Sequence, residues 1–502
     1  MMSSKEEFIQ REGMVFPGKT YVEHLLKHVF NDQRDYLFHE MLEIHKAHIV
    51  MLAEQNILQR KEAKVMLQGV EQVSHIDYKN LNYDPRFEDL FFLVEHRMGE
   101  EIGKELAGKM HIARSRNDMG VAMYRMVLRR HILETITNTV MLSDAILEKA
   151  EEHKETIMTA YTHTQPAQPT TFGHYLVAVF DLLNRDIDRL WAAYRRVNVS
   201  PLGSAALTTT GFPISRQRVC ELLGFGGIIE NSYDAVAGGD YLIEAASAVL
   251  SLMTNMGRWI QDFLLQVTKE FGAIQVADPY VQISSIMPQK RNPVSIEHSR
   301  ALASSSSGEA LAAVQMIHNT PFSDIVDTED DLQPHLYRSY EKANRVIHLM
   351  NAVIKTMTVN KALLRKRAKT SCITITELAD VLARDKDVPF RAAHKMAGLI
   401  AKQCVNLQKE LYELKVNEVN SLLSSVLPVS LTAKEWEGVV CPETFVQRRR
   451  IQGGPSYQEV QRMISLRKQT REQQASLVQR EMDFQSDSKE KLRKAMEAIF
   501  TA

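Results

Sequence analysis

Cysteine, glycine and proline are all scarce in this 502-residue chain. The four cysteines, Cys220, Cys372, Cys404 and Cys441, stand far apart and form no C-x-x-C pair. Such spacing excludes a zinc ribbon or a dense disulfide framework and predicts a reducing, cytoplasmic setting. Glycine (22 of 502) and proline (15 of 502) make up roughly 4% and 3% of the chain, against about 7% and 5% in average proteins. A chain poor in both helix breakers favours long helices. Charge of one sign is not in excess either. With 61 basic and 62 acidic side chains the net charge is -1, and no overall field draws the protein to nucleic acid or an anionic membrane. No apolar run approaches the ~18 residues that cross a bilayer. The start, MMSSKEEFIQREG, is too charged to read as a signal peptide. What remains is a soluble, mostly helical protein, too long for one compact core.

The clearest pattern lies in the middle. Leu242, Ala246, Val249, Met253, Met256, Ile260, Phe263 and Val267 alternate spacings of four and three. Leu176, Phe180, Leu183, Ile187, Leu190, Tyr194 and Val197 do the same, as do Leu336, Tyr340, Ala343, Ile347, Met350, Ile354 and Met357. Each set puts an apolar seam along one side of a helix, at the 3.5-residue period of near-parallel packing. Three seams predict a bundle of long helices crossing at roughly 20°. Segments 121–150 and 296–318 also read as helical. Ser304–Gly308 reads as a small-residue helix face, because apolar helical residues resume at Leu311. The expected organisation is all-α: an N-terminal helical domain over 1–118, a central bundle over 119–365 and a C-terminal helical domain over 366–502. The first contains one amphipathic stretch near 36–71. The last ends in a charged helix from about 456.

Three polar segments interrupt this pattern. Residues 278–297, DPYVQISSIMPQKRNPVSIE, crowd serines, a lysine and an asparagine into a loop before a helix, with Pro293 fitted to the first turn. A helix N-terminus suits an anion, but composition alone favours a plain surface loop. HIARSRND at 111–118 brings two guanidinium groups, a hydroxyl and an amide together, a set suited to carboxylates or to a solvated turn. YTHTQPAQP at 161–169 offers a histidine as acid, base or cap.

Together the segments resemble one family. SSxMPxKxNP at 284–293 resembles the signature of the fumarase/aspartase superfamily. THxQxAQP at 162–169 and RSRND at 114–118 narrow the resemblance to the argininosuccinate lyase branch. Pro201–Ser204, Asn231–Asp234 and Val388–Arg391 match as well. The resemblance implies an all-helical, three-domain subunit whose central five-helix bundles join four subunits into a twenty-helix core. Each active site then draws on three subunits. The implied reaction is anti elimination of an amine from an N-substituted L-aspartate, releasing fumarate, with no metal or organic cofactor and no nucleic-acid or membrane partner. By motif position Ser284 is the general base, and His163 pairs with Glu297. Ser285, Met287, Lys290 and Asn292 bind substrate from the same loop, Ser115, Arg116 and Asn117 from another subunit, and Thr162 completes the pocket.

The departures from the branch concern the amine half. A stretch resembling EDxHMNxE here reads EDLFFLVE at 88–95, placing Phe91 and Leu93 where the branch has His and Asn. At 321–332 Asp324, Glu329 and Leu332 replace a Tyr, a Gln and a Lys. Ile283 replaces a glycine before the paired serines, and a Trp-Gly-Gly-Arg-Phe opening is missing. Buried polar contacts can discriminate substrates by ~10⁴. The expected substrate is therefore another N-substituted aspartate, of the aminopolycarboxylate type such as ethylenediamine-N,N'-disuccinate. A true argininosuccinate lyase that holds arginine differently is the alternative, and a silent, crystallin-like structural protein is the alternative of another class.

Overall fold

A computed structural model describes residues 4–501 and is 70% helical. Near the N-terminus the expected single amphipathic stretch is two helices, α1 (Lys27–Glu54) and α2 (Arg60–Ser74). The chain turns between them because Asn56 takes φ 57°, a left-handed conformation that asparagine tolerates. A capping box from Gln59 to Glu62 then starts α2. Helix α3 (Leu90–Ile102) begins at Asp89, whose carboxylate accepts the Phe92 N–H at 3.0 Å.

Five long helices follow: α4 (Arg116–Glu152), α5 (Phe172–Val197), α6 (Asp240–Val267), α7 (Val294–Ile317) and α8 (Leu332–Thr356). Each packs on the next and α8 packs on α4, closing a five-membered ring. The apolar seams face inward. All seven seam residues of α5 are buried, as are Leu242 through Phe263 of α6 and Leu336 through Ile354 of α8. Full burial of one such aliphatic side chain contributes roughly 1.5–3 kcal/mol. The serine-rich run lies inside α7. There Ser306 Oγ donates to the Ser339 carbonyl at 2.7 Å and Ser339 Oγ returns a bond at 2.9 Å. Small side chains with their hydroxyls satisfied let α7 and α8 approach closely.

The C-terminal region has a second core, in which Leu378 and Leu382 of α9 (Ile375–Asp385) meet Met396 and Ile400 of α10 (Phe390–Leu407) and Trp436. The chain then returns. Helix α11 (Tyr457–Thr501) spans 45 residues and lays Val460, Ile464, Val478, Leu492 and Ile499 into the main core, against α1, α4 and α5. Among the described residues no helix is long and apolar enough to cross a membrane.

Successive bundle helices run in opposite directions, so the bundle has two distinct ends. Residues 116, 197, 240, 317 and 332 lie at one, and residues 152, 172, 267, 294 and 356 at the other. Loop bonds agree: Gly203 and Ala205 reach Asp118, while Asn360 reaches Ala273.

Candidate active site

At the 116 end, Ser115 caps α4. Its Oγ accepts the Asn117 N–H at 3.3 Å, and its own N–H donates to Asp118 Oδ1 at 3.1 Å. Asp118 is fully buried, and its second oxygen accepts the N–H groups of Gly203 (2.9 Å) and Ala205 (3.0 Å). One carboxylate thus fixes both the RSRND turn and the Pro201–Ser204 segment. Burial still pushes Asp118 up to about 6, the three amides pulling the other way. The sequence reading gave Asp118 no role, although the S-x-x-D spacing is a helix-start signal.

Arg116 lies over the Phe92 ring, 4.7 Å from its centre. Its Nη1 donates to Asp89 at 2.9 Å and sits 3.4 Å from Glu88. Only Nη1 is engaged, which leaves the rest of the guanidinium fork for a substrate carboxylate. The Asn117 amide donates to the Asp324 carboxylate. Asp324 in turn shares a hydrogen bond with Glu329, whose carboxyl is pushed up to about 8 by burial first and by Asp324 second. Two of the three altered amine-half positions therefore stand beside the RSRND motif. The third, Leu332, is buried in the core, as are Phe91 and Leu93.

The other expected residues sit at the opposite end. Thr162 and His163 occupy the tip of a hairpin of β1 (Ile157–Thr162) and β2 (Gln165–Thr171), in place of the expected polar lead into a helix. His163 and Thr164 both have positive φ (50° and 61°), as a two-residue hairpin turn with the strands' own twist requires. That geometry holds the histidine out into solvent. A second hairpin pairs β3 (Gln282–Ile283) with β4 (Arg291–Asn292). The Ser284 N–H donates to the Lys290 carbonyl at 3.2 Å. Ser284 Oγ accepts the N–H groups of Met287 (3.1 Å) and Ile286 (3.4 Å). Two amides aimed at one hydroxyl oxygen favour its deprotonated form. Ser285, Met287 and Lys290 are exposed, Asn292 is half-buried, and Glu297 is exposed in the first turn of α7. Arg291 ties the hairpin base to the Val276 carbonyl at 3.2 Å.

Helix α4 separates these groups. It has 37 residues, about 54 Å at ~1.5 Å per residue. Ser115 caps its first turn, which holds Arg116 and Asn117, and His163 follows its last, so one chain cannot bring them together. Within the chain no hydrogen bond or ion pair joins His163 to Glu297 among the described residues. Each end carries one group of the residues expected from the motifs. Among the described residues no group of three His, Cys, Asp or Glu side chains is placed to hold a metal ion.

Comparison with known proteins gives the same answer as the motifs. A lyase family model matches residues 27–308, and a model of the argininosuccinate lyase C-terminal region matches residues 372–447. The chain is 39% identical to argininosuccinate lyase 2 of Agrobacterium fabrum over 452 residues, 89% of each chain. It is 36% identical to argininosuccinate lyase of Methanocaldococcus jannaschii over 420 residues, covering 84% of this chain and 86% of that one. A solved EDDS lyase variant with bound fumarate superposes with a TM-score of 0.87 at 29% identity, covering 93% of both chains. The chain belongs to the argininosuccinate lyase family, the carbon–nitrogen lyases of the fumarase/aspartase superfamily.

Proposed function

We propose that this protein eliminates an amine from an N-substituted L-aspartate whose amine half carries positive charge, with Ser284 taking the Cβ proton. The observation that carries the reading is the Ser284 hydroxyl held under two backbone amides inside the SSxMPxKxNP hairpin. Removing a proton beside a carboxylate places a second negative charge on that carboxylate. Lys290, Asn292 and Ser285 supply the cation and donors that such a charge needs. Arg116, Asn117 and Ser115 from another copy hold the rest of the aspartyl unit, and Thr162 and His163, with Glu297 behind the imidazole, complete the pocket. The electron pair of the broken C–H bond becomes the new double bond. The C–N pair leaves with the amine, and fumarate remains. Closure of the exposed 284–290 loop would exclude water and strengthen every electrostatic contact inside. A homotetramer in the cytoplasm is the assembly and setting we infer, because the separated half-sites require several copies.

Asp324 and Glu329, which share a hydrogen bond and one proton, offer a negatively charged pair to a cationic amine half where the branch has an uncharged Tyr and Gln. Argininosuccinate is the second reading, favoured by relatives of that name at 36% and 39% identity. Fumarate release, read by ultraviolet absorbance, distinguishes them. N-(Aminoalkyl)-L-aspartates should turn over faster than argininosuccinate, and unsubstituted aspartate should be poorest. Argininosuccinate as the best substrate by a wide margin would overturn the substrate assignment.

A further inference from the structure

Beside Glu329 lies a small cavity between α1 and the start of α8. It has about 10 Å³ of free space, room for one water-sized group. Its polar lining includes the carboxyls of Asp32, Glu329 and Asp330, the phenols of three tyrosines, the side-chain carbonyl of Gln333, and the amide of Gln33, which already donates to Asp330 Oδ1 at 3.0 Å. Two of these groups lack partners. Gln333 is 3% exposed and spends its amide on the Thr328 carbonyl at 2.8 Å, leaving Oε1 without a donor. Tyr337 is 1% exposed and its hydroxyl is unbonded. A buried carbonyl without a donor has lost its water and gained nothing in return. An ammonium group is the size of a water, carries several donors and is attracted to carboxylates and aromatic faces. Arg116, the nearby guanidinium, turns Nη1 to Asp89 and Glu88, and among the described residues it makes no ion pair with Glu329 or Asp330.

We propose that this cavity receives a primary ammonium head on the amine half of the substrate, with Gln333, Glu329 and Asp330 as its acceptors. Glu329 joins the two parts of the site. It forms one wall of the cavity and, through Asp324, reaches the Asn117 amide that faces the aspartyl unit. The inference rests on the lyase reading above and narrows it, because a terminal ammonium becomes the feature that sets specificity. The sequence hides Gln333, which looks like an ordinary first-turn residue of a bundle helix.

The test compares short N-(aminoalkyl)-L-aspartates with N-alkyl-L-aspartates of the same length, in which a methyl replaces the ammonium. The intact oligomer should favour the aminoalkyl compounds by at least ~100-fold in kcat/KM. Gln333→Leu and, separately, Glu329→Gln should each reduce that ratio at least ~10-fold, mainly through KM for the aminoalkyl compound. Turnover of both compound classes with a ratio near one would overturn the ammonium pocket and leave the lyase reading standing. No fumarate from any N-substituted aspartate, argininosuccinate included, would overturn both. If potassium or ammonium ions at constant ionic strength raised N-alkyl turnover to the aminoalkyl level, the cavity would belong to a free cation and the substrate assignment would fall.

Discussion

The Ser284 hydroxyl accepts two amides of its own surface hairpin, away from the buried core, so truncating it separates chemistry from stability. Ser284→Ala should lower kcat by roughly 10³-fold or more while leaving the melting temperature and the oligomer unchanged. Near-normal turnover in that variant would remove Ser284 as the base. Glu329 makes a different kind of prediction. Its carboxyl titrates at about 8 in the folded chain against an ordinary 4.5, because burial and then Asp324 disfavour its charge. The folded state therefore holds an extra proton between those values. Stability falls as pH rises through that window, and the loss is complete above about pH 8. Glu329→Gln cannot titrate, so from pH 5 to pH 9 it should lose less stability than the parent, by roughly 1–2 kcal/mol. Parallel melting curves for the two proteins would contradict the placement of this carboxyl. At this scale the sequence was legible only in part. Side-chain chemistry alone left 278–297 and 111–118 open between loop and site, and resemblance to a family supplied the roles. Asp118 was missed because its function is to hold the backbone of a segment 85 residues away, which local pattern does not reveal.

Among the elements, the long helices were readable because a seam of 3.5-residue period admits one buried face. The hairpin carrying His163 was not. Its second strand, QPAQPTT, has two prolines and no alternation, and it forms a strand only by pairing from Ile157↔Thr171 to Thr162↔Gln165. The turn between α4 and α5 sets where this hairpin starts. Gly173 approaches the end of α4 so closely that a Cβ would meet the Ala150 carbonyl oxygen and Lys154 Cα at 2.6 Å. Neither atom can move without shifting the helix. Gly173→Ala should therefore cost roughly 1–3 kcal/mol, read as a lower melting temperature. It should also reduce activity by displacing the His163 tip. A neutral effect on both would mean that the helix end yields easily.

At the scale of the whole molecule, α4 decides the biology. Its length keeps the Ser115–Asn117 turn apart from the His163 and Ser284 hairpins, so the site we propose combines ends from different copies of the chain. Resemblance to the family already implied sites shared between subunits, and the separation of the motifs along α4 supplies a physical reason for that proposal. The most direct test mixes two inactive variants, Arg116→Ala and Ser284→Ala, after dissociation and reassembly. Mixed oligomers contain some sites in which an intact 116 end meets an intact 284 hairpin. The account predicts that activity returns to a substantial fraction of the parent's, while each variant alone stays inactive. Mixed oligomers that form and remain inactive would contradict it.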